Sequence, residues 1–269
     1  MDILKRSLAP ITESGWNEID GQARRFLLPL LSARKLVDVA GPKGWNYASV
    51  PFGRLELPKS QPEQGIEYGI HSVQPLVEIR SHFSLDIWEL DNIVRGALDI
   101  DFSPLEEAAK KIALFEENAV FYGFSQGGIK GIMESSPHAP VPLGSEKEQF
   151  IDSVSVAVST LLESSVEGPF GMAVSPEIWR YMSGYSRGYP LRNHLEHLLN
   201  GPVILSPFVK EAFLLSMRGG DAQLILGQDL SIGYLTHDSK SVRLYITESF
   251  TFRVIDPTVI VYLEWKKKA

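Results

Sequence analysis

The chain has no cysteine in its 269 residues, so it can build no disulfide framework, no thiolate nucleophile and no zinc or iron–sulfur site that depends on thiolates. Long apolar runs are missing as well. No uninterrupted stretch approaches the roughly 18 to 20 residues of a membrane span. The opening Met1-Asp2-Ile3-Leu4-Lys5-Arg6 places its basic residues after apolar ones, which predicts neither a signal peptide nor an anchor. A reducing, cytoplasmic setting with no membrane partner is therefore expected. Positive charge is also scarce, with 26 Lys and Arg against 33 Asp and Glu for a net charge of -7. Nucleic-acid binding is largely phosphate neutralisation by clustered Lys and Arg, so no nucleic-acid partner is expected. The one basic run, Lys266-Lys267-Lys268, lies at the extreme terminus and reads as a solvated tail.

What is present is regular structure of two kinds. Trp16, Ile19, Ala23, Phe26, Leu27 and Leu30 share one helical face, and Pro29 predicts a kink or an end to that helix. From Val50 to Val73 the pattern alternates, with Leu55 and Leu57, then Ile66, Tyr68 and Ile70, interleaved with polar residues around a turn-rich Pro58–Gly65 segment. This predicts a long hairpin, and two strands alone are marginal in water. Ser103-Pro104 with Glu106 predicts a capping box opening a helix over 104–121, whose buried stripe is Leu105, Ala108, Ala109, Ile112, Phe115 and Ala119. Between about 147 and 226 a smaller α/β segment is expected. It comprises a helix with Phe150, Ile151, Val154, Val158, Leu161 and Leu162 inside, a strand Phe170 to Val174, a helix opened by Ser175-Pro176, a loop from Tyr181 to Gly188, and a helix from Pro190 stopped by Gly201-Pro202. The rest reads as strands, at Ala212–Met217, Gln223–Leu226, Val242–Thr247, Phe250–Val254 and Thr258–Leu263. The fold class is α+β.

Catalytic signals are weak. Gly123-Phe124-Ser125-Gln126-Gly127 matches the serine nucleophile elbow in letters, with His138 and His194 downstream. An elbow needs a buried strand before the serine and a helix after it, whereas a helix precedes Ser125 and glycines follow. A serine hydrolase acting through Ser125 is thus the enzyme alternative, and the residues favour a glycine-rich turn. His194 and His197 are three apart on a helix, too few for a metal. Asp86, Glu89 and Asp91 lack the glycine-containing loop of a calcium site and read as caps and surface ion pairs with Arg80 or Arg95. No glycine loop for phosphates is present, no metal is called for, and nothing here identifies an enzyme.

More specific are longer words along the chain. Arg34-Lys35-Leu36-Val37-Asp38-Val39, Gly41-Pro42 with Gly44-Trp45, Pro75-Leu76-Val77-Glu78-Ile79-Arg80 and Leu85-Asp86-Ile87-Trp88-Glu89-Leu90-Asp91-Asn92 resemble the front half of encapsulin shell proteins. Arg218-Gly219-Gly220-Asp221, Leu226-Gly227-Gln228-Asp229-Leu230-Ser231-Ile232-Gly233-Tyr234 and Glu248-Ser249-Phe250-Thr251-Phe252 resemble the back half, in the same order.

The resemblance implies a phage major capsid fold of the HK-97 type. A peripheral domain would comprise 1–48, 75–134 and 225–269, an extended E-loop hairpin 49–74, and an axial domain 135–224. It implies self-assembly into an icosahedral nanocompartment around a cargo enzyme, a dye-decolourising peroxidase or a ferritin-like iron oxidase, held by the cargo's C-terminal targeting peptide. Phe26, Leu30, Arg34, Asp38, Val39 and Phe252 are the implied peptide-binding residues on the inner wall. Gly184, Tyr185, Ser186, Arg187, Gly188 and Tyr189 would line the fivefold pore. Some members hold a flavin beside a tryptophan matching Trp88, near an arginine matching Arg80; otherwise no cofactor is implied. A true viral capsid protein shares the fold, and the acidic balance weighs against it.

Overall fold

The computed structural model describes residues 2–58, 65–184 and 190–265. In chain order the elements are α1 (Glu13–Leu27), β1 (Asp38–Ala40), β2 (Ser49–Glu56), β3 (Ile70–Pro75), β4 (Val77–Asp86), α2 (Ile87–Arg95), α3 (Ser103–Phe121), α4 (Ile132–Ser135), β5 (Val141–Leu143), α5 (Lys147–Glu163), β6 (Phe170–Val174), α6 (Pro176–Gly184), α7 (Leu191–Leu199), β7 (Val203–Leu205), β8 (Ala212–Ser216), β9 (Ala222–Leu226), β10 (Ser231–His237), β11 (Ser241–Val254) and β12 (Ile260–Trp265). The mixture is α+β, as the periodicities predict. The Tyr185–Tyr189 part of the expected pore loop and the Lys266–Lys268 run lie outside the described residues, and Gly184 closes α6.

Two five-stranded sheets carry the fold. In the first, β11 is central, with β4 along one edge and β10 then β9 along the other, and β1 joins β9 in parallel. The second runs β5-β12-β8-β6-β7. The long helix α3 serves both. Leu105, Ala108, Ala109, Ile112 and Ala113 pack with α1, β4, β10 and β11, while Ala119, Val120 and Phe121 enter the core built on α5, α7 and the second sheet.

Several local expectations are corrected. Ser103 does not cap α3; the Asp101 carboxylate accepts both the Ser103 amide and hydroxyl, and Glu106 pairs with Lys110 at 2.6 Å. Residues 181–184, expected as loop, continue α6, because Tyr181 stacks on Phe150 and Met182 is buried. The predicted strands 242–247 and 250–254 are one, since Glu248 and Ser249 stay in register against Ile79 and Glu78 of β4. Ser231–His237 is a strand that no alternation announced. Leu162, expected inside, is exposed. The final strand, expected within the peripheral unit, lies in the second sheet, with Ile260 opposite Leu215 and Leu263 opposite Val141.

The hairpin is real but shorter than the alternation suggests. β2 and β3 pair only with each other, and Ile66 and Tyr68 precede the second strand. Among the described residues its apolar side chains stay largely exposed: Leu55, Ile66 and Ile70 are 53%, 67% and 63% exposed, and Phe52, Leu57 and Val73 are exposed as well.

Candidate functional site

Thr12 opens α1 by accepting the Gly15 amide at 3.2 Å, and the helix ends at Leu27 before Pro29, which lacks the amide to continue it. Ile19, Ala23 and Leu27 are buried beneath it. Between α1 and β10 lies a groove of about 490 Å³, floored by Leu27, Leu31, Ile232 and Ile246, with Leu28, Arg24 and Leu230 at its walls. Arg34 and Asp229 belong to its lining, as does Arg6, paired with Asp20 at 2.7 Å.

Arg34 joins the groove to a buried charged network. Its Nε and Nη2 reach Glu116 at 2.9 and 2.5 Å, Nη2 also reaches Glu248 at 2.5 Å, and Nη1 reaches Asp229 at 2.9 Å. Glu116 and Glu248 are fully buried. Only a planar guanidinium offers donors in enough directions to serve three carboxylates from three elements. Burial alone would lower the Arg34 pKa, but these carboxylates raise it. Burial raises that of Glu248, with Glu116 adding to the effect and Arg34 opposing it, and its Oε2 is buried without a hydrogen-bond partner.

The neighbouring Glu117 faces the other way. It accepts the Ala33 amide at 2.8 Å, a short bond from Ser32 Oγ, and one from Ser206 Oγ at 3.3 Å. Burial, only partly offset by these bonds, pushes its pKa up to about 7 from the usual 4.5. The folded state therefore holds this proton more tightly than the unfolded chain, and stability from this group falls as pH rises from about 4.5 through about 7, by roughly 3 kcal/mol at 1.36 kcal/mol per pKa unit. Glu117→Gln is expected to remove that slope, leaving stability near pH 5 little changed and raising it at pH 8. Denaturant unfolding at both pH values checks this, and parallel pH dependence in variant and parent would contradict it.

The expected peptide-binding residues do not converge on one place. Arg34 lines the groove. Phe26 lines a separate cavity of about 410 Å³ with Ile100 and Phe102, and Leu30 packs against the core beneath α1. Asp38 accepts the Gly220 amide at 2.6 Å, and Val39 is exposed on β1, paired with Leu224. Phe252 must be withdrawn as a peptide contact, because it is fully buried and has no surface to offer. Leu28, exposed just past the end of α1, is one of the groove residues that the sequence reading missed. Glu116 and Glu117 carried a signal too: they stand four residues after Ile112 and Ala113 and eight after Ala108 and Ala109, so they continue the buried stripe.

Trp88 and Arg80 stand apart within one chain. Trp88 is 69% exposed at the start of α2, with the Arg95 guanidinium 5.8 Å from its ring. Arg80 is committed to Glu78 at 2.6 Å and to the face of Tyr245 at 5.0 Å. It stands about 20 Å back along β4 from Asp86, at roughly 3.3 Å per residue. Asp86 caps α2 through the Trp88 amide and Asp91 pairs with Arg95, so the acidic cluster is structural. Ser125 lies exposed in a single 3-10 turn after α3, without an elbow's strand, and His138 Nε2 meets the Thr258 carbonyl at 2.9 Å. Among the described residues no group of three or more His, Asp or Glu is placed to hold a metal, and no helix is long and apolar enough to cross a membrane.

Two five-stranded sheets spanned by one long helix, with a separate two-stranded hairpin, make up the fold of phage major capsid proteins of the HK-97 type. A solved chain of the virus-like particle from Pyrococcus furiosus superposes with a TM-score of 0.69 at 18% identity, covering 93% of this chain and 99% of that one. The capsid of an empty GTA particle follows with a TM-score of 0.58 at 14% identity, covering 88% and 90%. Sequence comparison is narrower. Residues 1–251 match the family model described as encapsulating protein for peroxidase. Type 1 encapsulin shell proteins of Rhodospirillum rubrum and Mycobacterium tuberculosis are 40% and 39% identical, covering 100% and 94% of this chain and 99% and 95% of theirs. The chain belongs to the encapsulin shell protein family, whose members build capsid-like nanocompartments from copies of themselves.

Proposed function

We propose that this chain is the protomer of an icosahedral shell that closes in the cytoplasm around a cargo enzyme, a dye-decolourising peroxidase or a ferritin-like protein, and that it performs no chemistry itself. The cargo's C-terminal peptide would seat in the groove between α1 and β10. The observation that carries this reading is the groove itself: the exposed Leu28 beside an apolar lining of Leu27, Leu31, Leu230 and Ile232, with the polar Arg34–Asp229 pair in the same lining, suited to an extended segment that buries apolar side chains and also hydrogen-bonds. The family description, which names peroxidase as what is encapsulated, supports the first cargo.

Leu28 is 55% exposed at the groove wall, so its replacement leaves the core untouched. Losing one buried leucine contact costs a docked peptide about 1.5 to 3 kcal/mol, roughly a tenfold to hundredfold weakening. Leu28→Asp is therefore expected to yield shells in normal amount carrying at least about tenfold less cargo when co-expressed with a peroxidase or ferritin-like partner. Quantifying cargo per shell by mass spectrometry tests it. Unchanged loading would remove the groove from the account, and a nuclease-protected genome inside the particles would replace the account with a viral capsid.

A further inference from the structure

The Arg218-Gly219-Gly220-Asp221 word does more than make a turn. β8 and β12 pair antiparallel in the second sheet, with Ile260 opposite Leu215, while β9 and β11 pair antiparallel in the first, with Ala222 opposite Val254. One two-stranded ribbon therefore runs through both sheets. It leaves the ladder on both strands at the same place, over 217–221 and 255–259. The two sheets also share a buried core through Leu224, Leu226, Phe250 and Phe252, so this stretch of ribbon is the link at which a small change in their mutual angle breaks no ladder bond.

That joint is lashed by side chains. Arg218 Nε and Nη2 hold Asp221 at 2.7 and 3.2 Å, and Nη2 crosses to Asp256 on the other pass at 2.9 Å. The Asp221 carbonyl accepts the amides of Ile255 and Asp256 at 2.7 and 3.3 Å. Gly219 and Gly220, at φ +85° and +87°, bend the first pass so that the Gly220 amide reaches Asp38 at the start of β1. Asp256 divides its labour: Oδ2 faces Arg218, while Oδ1 caps the Thr258 amide and hydroxyl.

We infer that Arg218, by bridging the two passes, is the positioning residue that fixes the angle between the sheets and with it the size of the closed shell. An ion pair this exposed contributes little to whether the subunit folds. Its geometric effect is of another order, because every copy repeats the same angle and a symmetric particle closes only when those angles sum to closure. Releasing the joint lets copies settle at more than one angle, and so at more than one closed size.

The test is charge-detection mass spectrometry of purified shells of the full chain, with Arg218→Ala, Asp256→Asn and Arg218→Lys. Asp256→Asn keeps the oxygen that caps Thr258 and puts an amide nitrogen, which cannot accept, where the carboxylate oxygen met Arg218, so it reports on the bridge even if Arg218→Ala does not fold. The expected result is one particle mass for the parent and several masses, or a shifted one, for Asp256→Asn and Arg218→Ala, with subunit unfolding unchanged for Asp256→Asn. Arg218→Lys, which retains a charge at the joint, moves the distribution back toward the parent. A single parental mass for Asp256→Asn would overturn the inference.

Discussion

Replacing Arg34 by methionine is expected to destabilise the subunit by about 3 to 5 kcal/mol, the cost of leaving buried charges without their partner. Glu116 and Glu248 are both fully buried, come from α3 and β11, and converge on this one guanidinium. Methionine fills much of the volume but donates nothing, so both buried carboxyl groups lose the donors that satisfy them. At roughly 2 to 4 °C per kcal/mol for a chain of this size, the melting temperature should fall by about 10 °C, and shell yield with it. Adding Glu116→Gln and Glu248→Gln to Arg34→Met should recover part of the loss, because the cost lies in the orphaned charges. Thermal unfolding of the single and triple variants decides it. A loss below about 1 kcal/mol, the range of exposed ion pairs, would show that the network is not the keystone between helix and sheet.

The second large effect falls on assembly. Leu55 and Ile70 are exposed on a hairpin that, among the described residues, pairs with no third strand. In a family that builds shells from copies of itself, a neighbouring subunit is the cover to be tested. Substituting aspartate at both positions should alter subunit folding within about 0.5 kcal/mol, as is usual for surface sites. Burying each side chain between copies is worth about 2 kcal/mol, so losing both weakens each contact by about 4 kcal/mol, roughly a thousandfold. Sedimentation velocity should show the parent as fast-moving shells and Leu55→Asp/Ile70→Asp as folded subunits or small oligomers. Parental shells from that variant would mean that the hairpin is not the interlocking element.

Much of this architecture was legible in the residues, and the gaps have physical causes. The end of α1 at Pro29, the opening of α6 by Ser175-Pro176 and the stop of α7 at Gly201-Pro202 are local, so short windows report them. The continuity of β11 was not legible, because Glu248-Ser249 looks like a turn until Arg34, distant in sequence, neutralises the glutamate. β12 could not be assigned to its sheet for a similar reason: its partners, Ala212–Leu215 and Val141–Leu143, are distant in sequence and no local pattern names them. The groove was found only in outline. The resemblance pointed to α1 and its surroundings, but which residues face the groove depends on how α1 rolls onto α3 and β10. That roll turns Leu28 into the groove and Phe26 away from it, toward Phe102. Phe252 shows the same limit, because a residue in a family word is as readily core as contact.

The central claim is that this acidic, cysteine-free chain is a shell protomer whose uncovered surfaces are interfaces between copies. Electron microscopy of the purified full-length protein tests it most directly. The account predicts closed, capsid-like particles with a discrete diameter, formed without cargo or nucleic acid. Monomers or small oligomers alone, across a range of salt and pH, would contradict it.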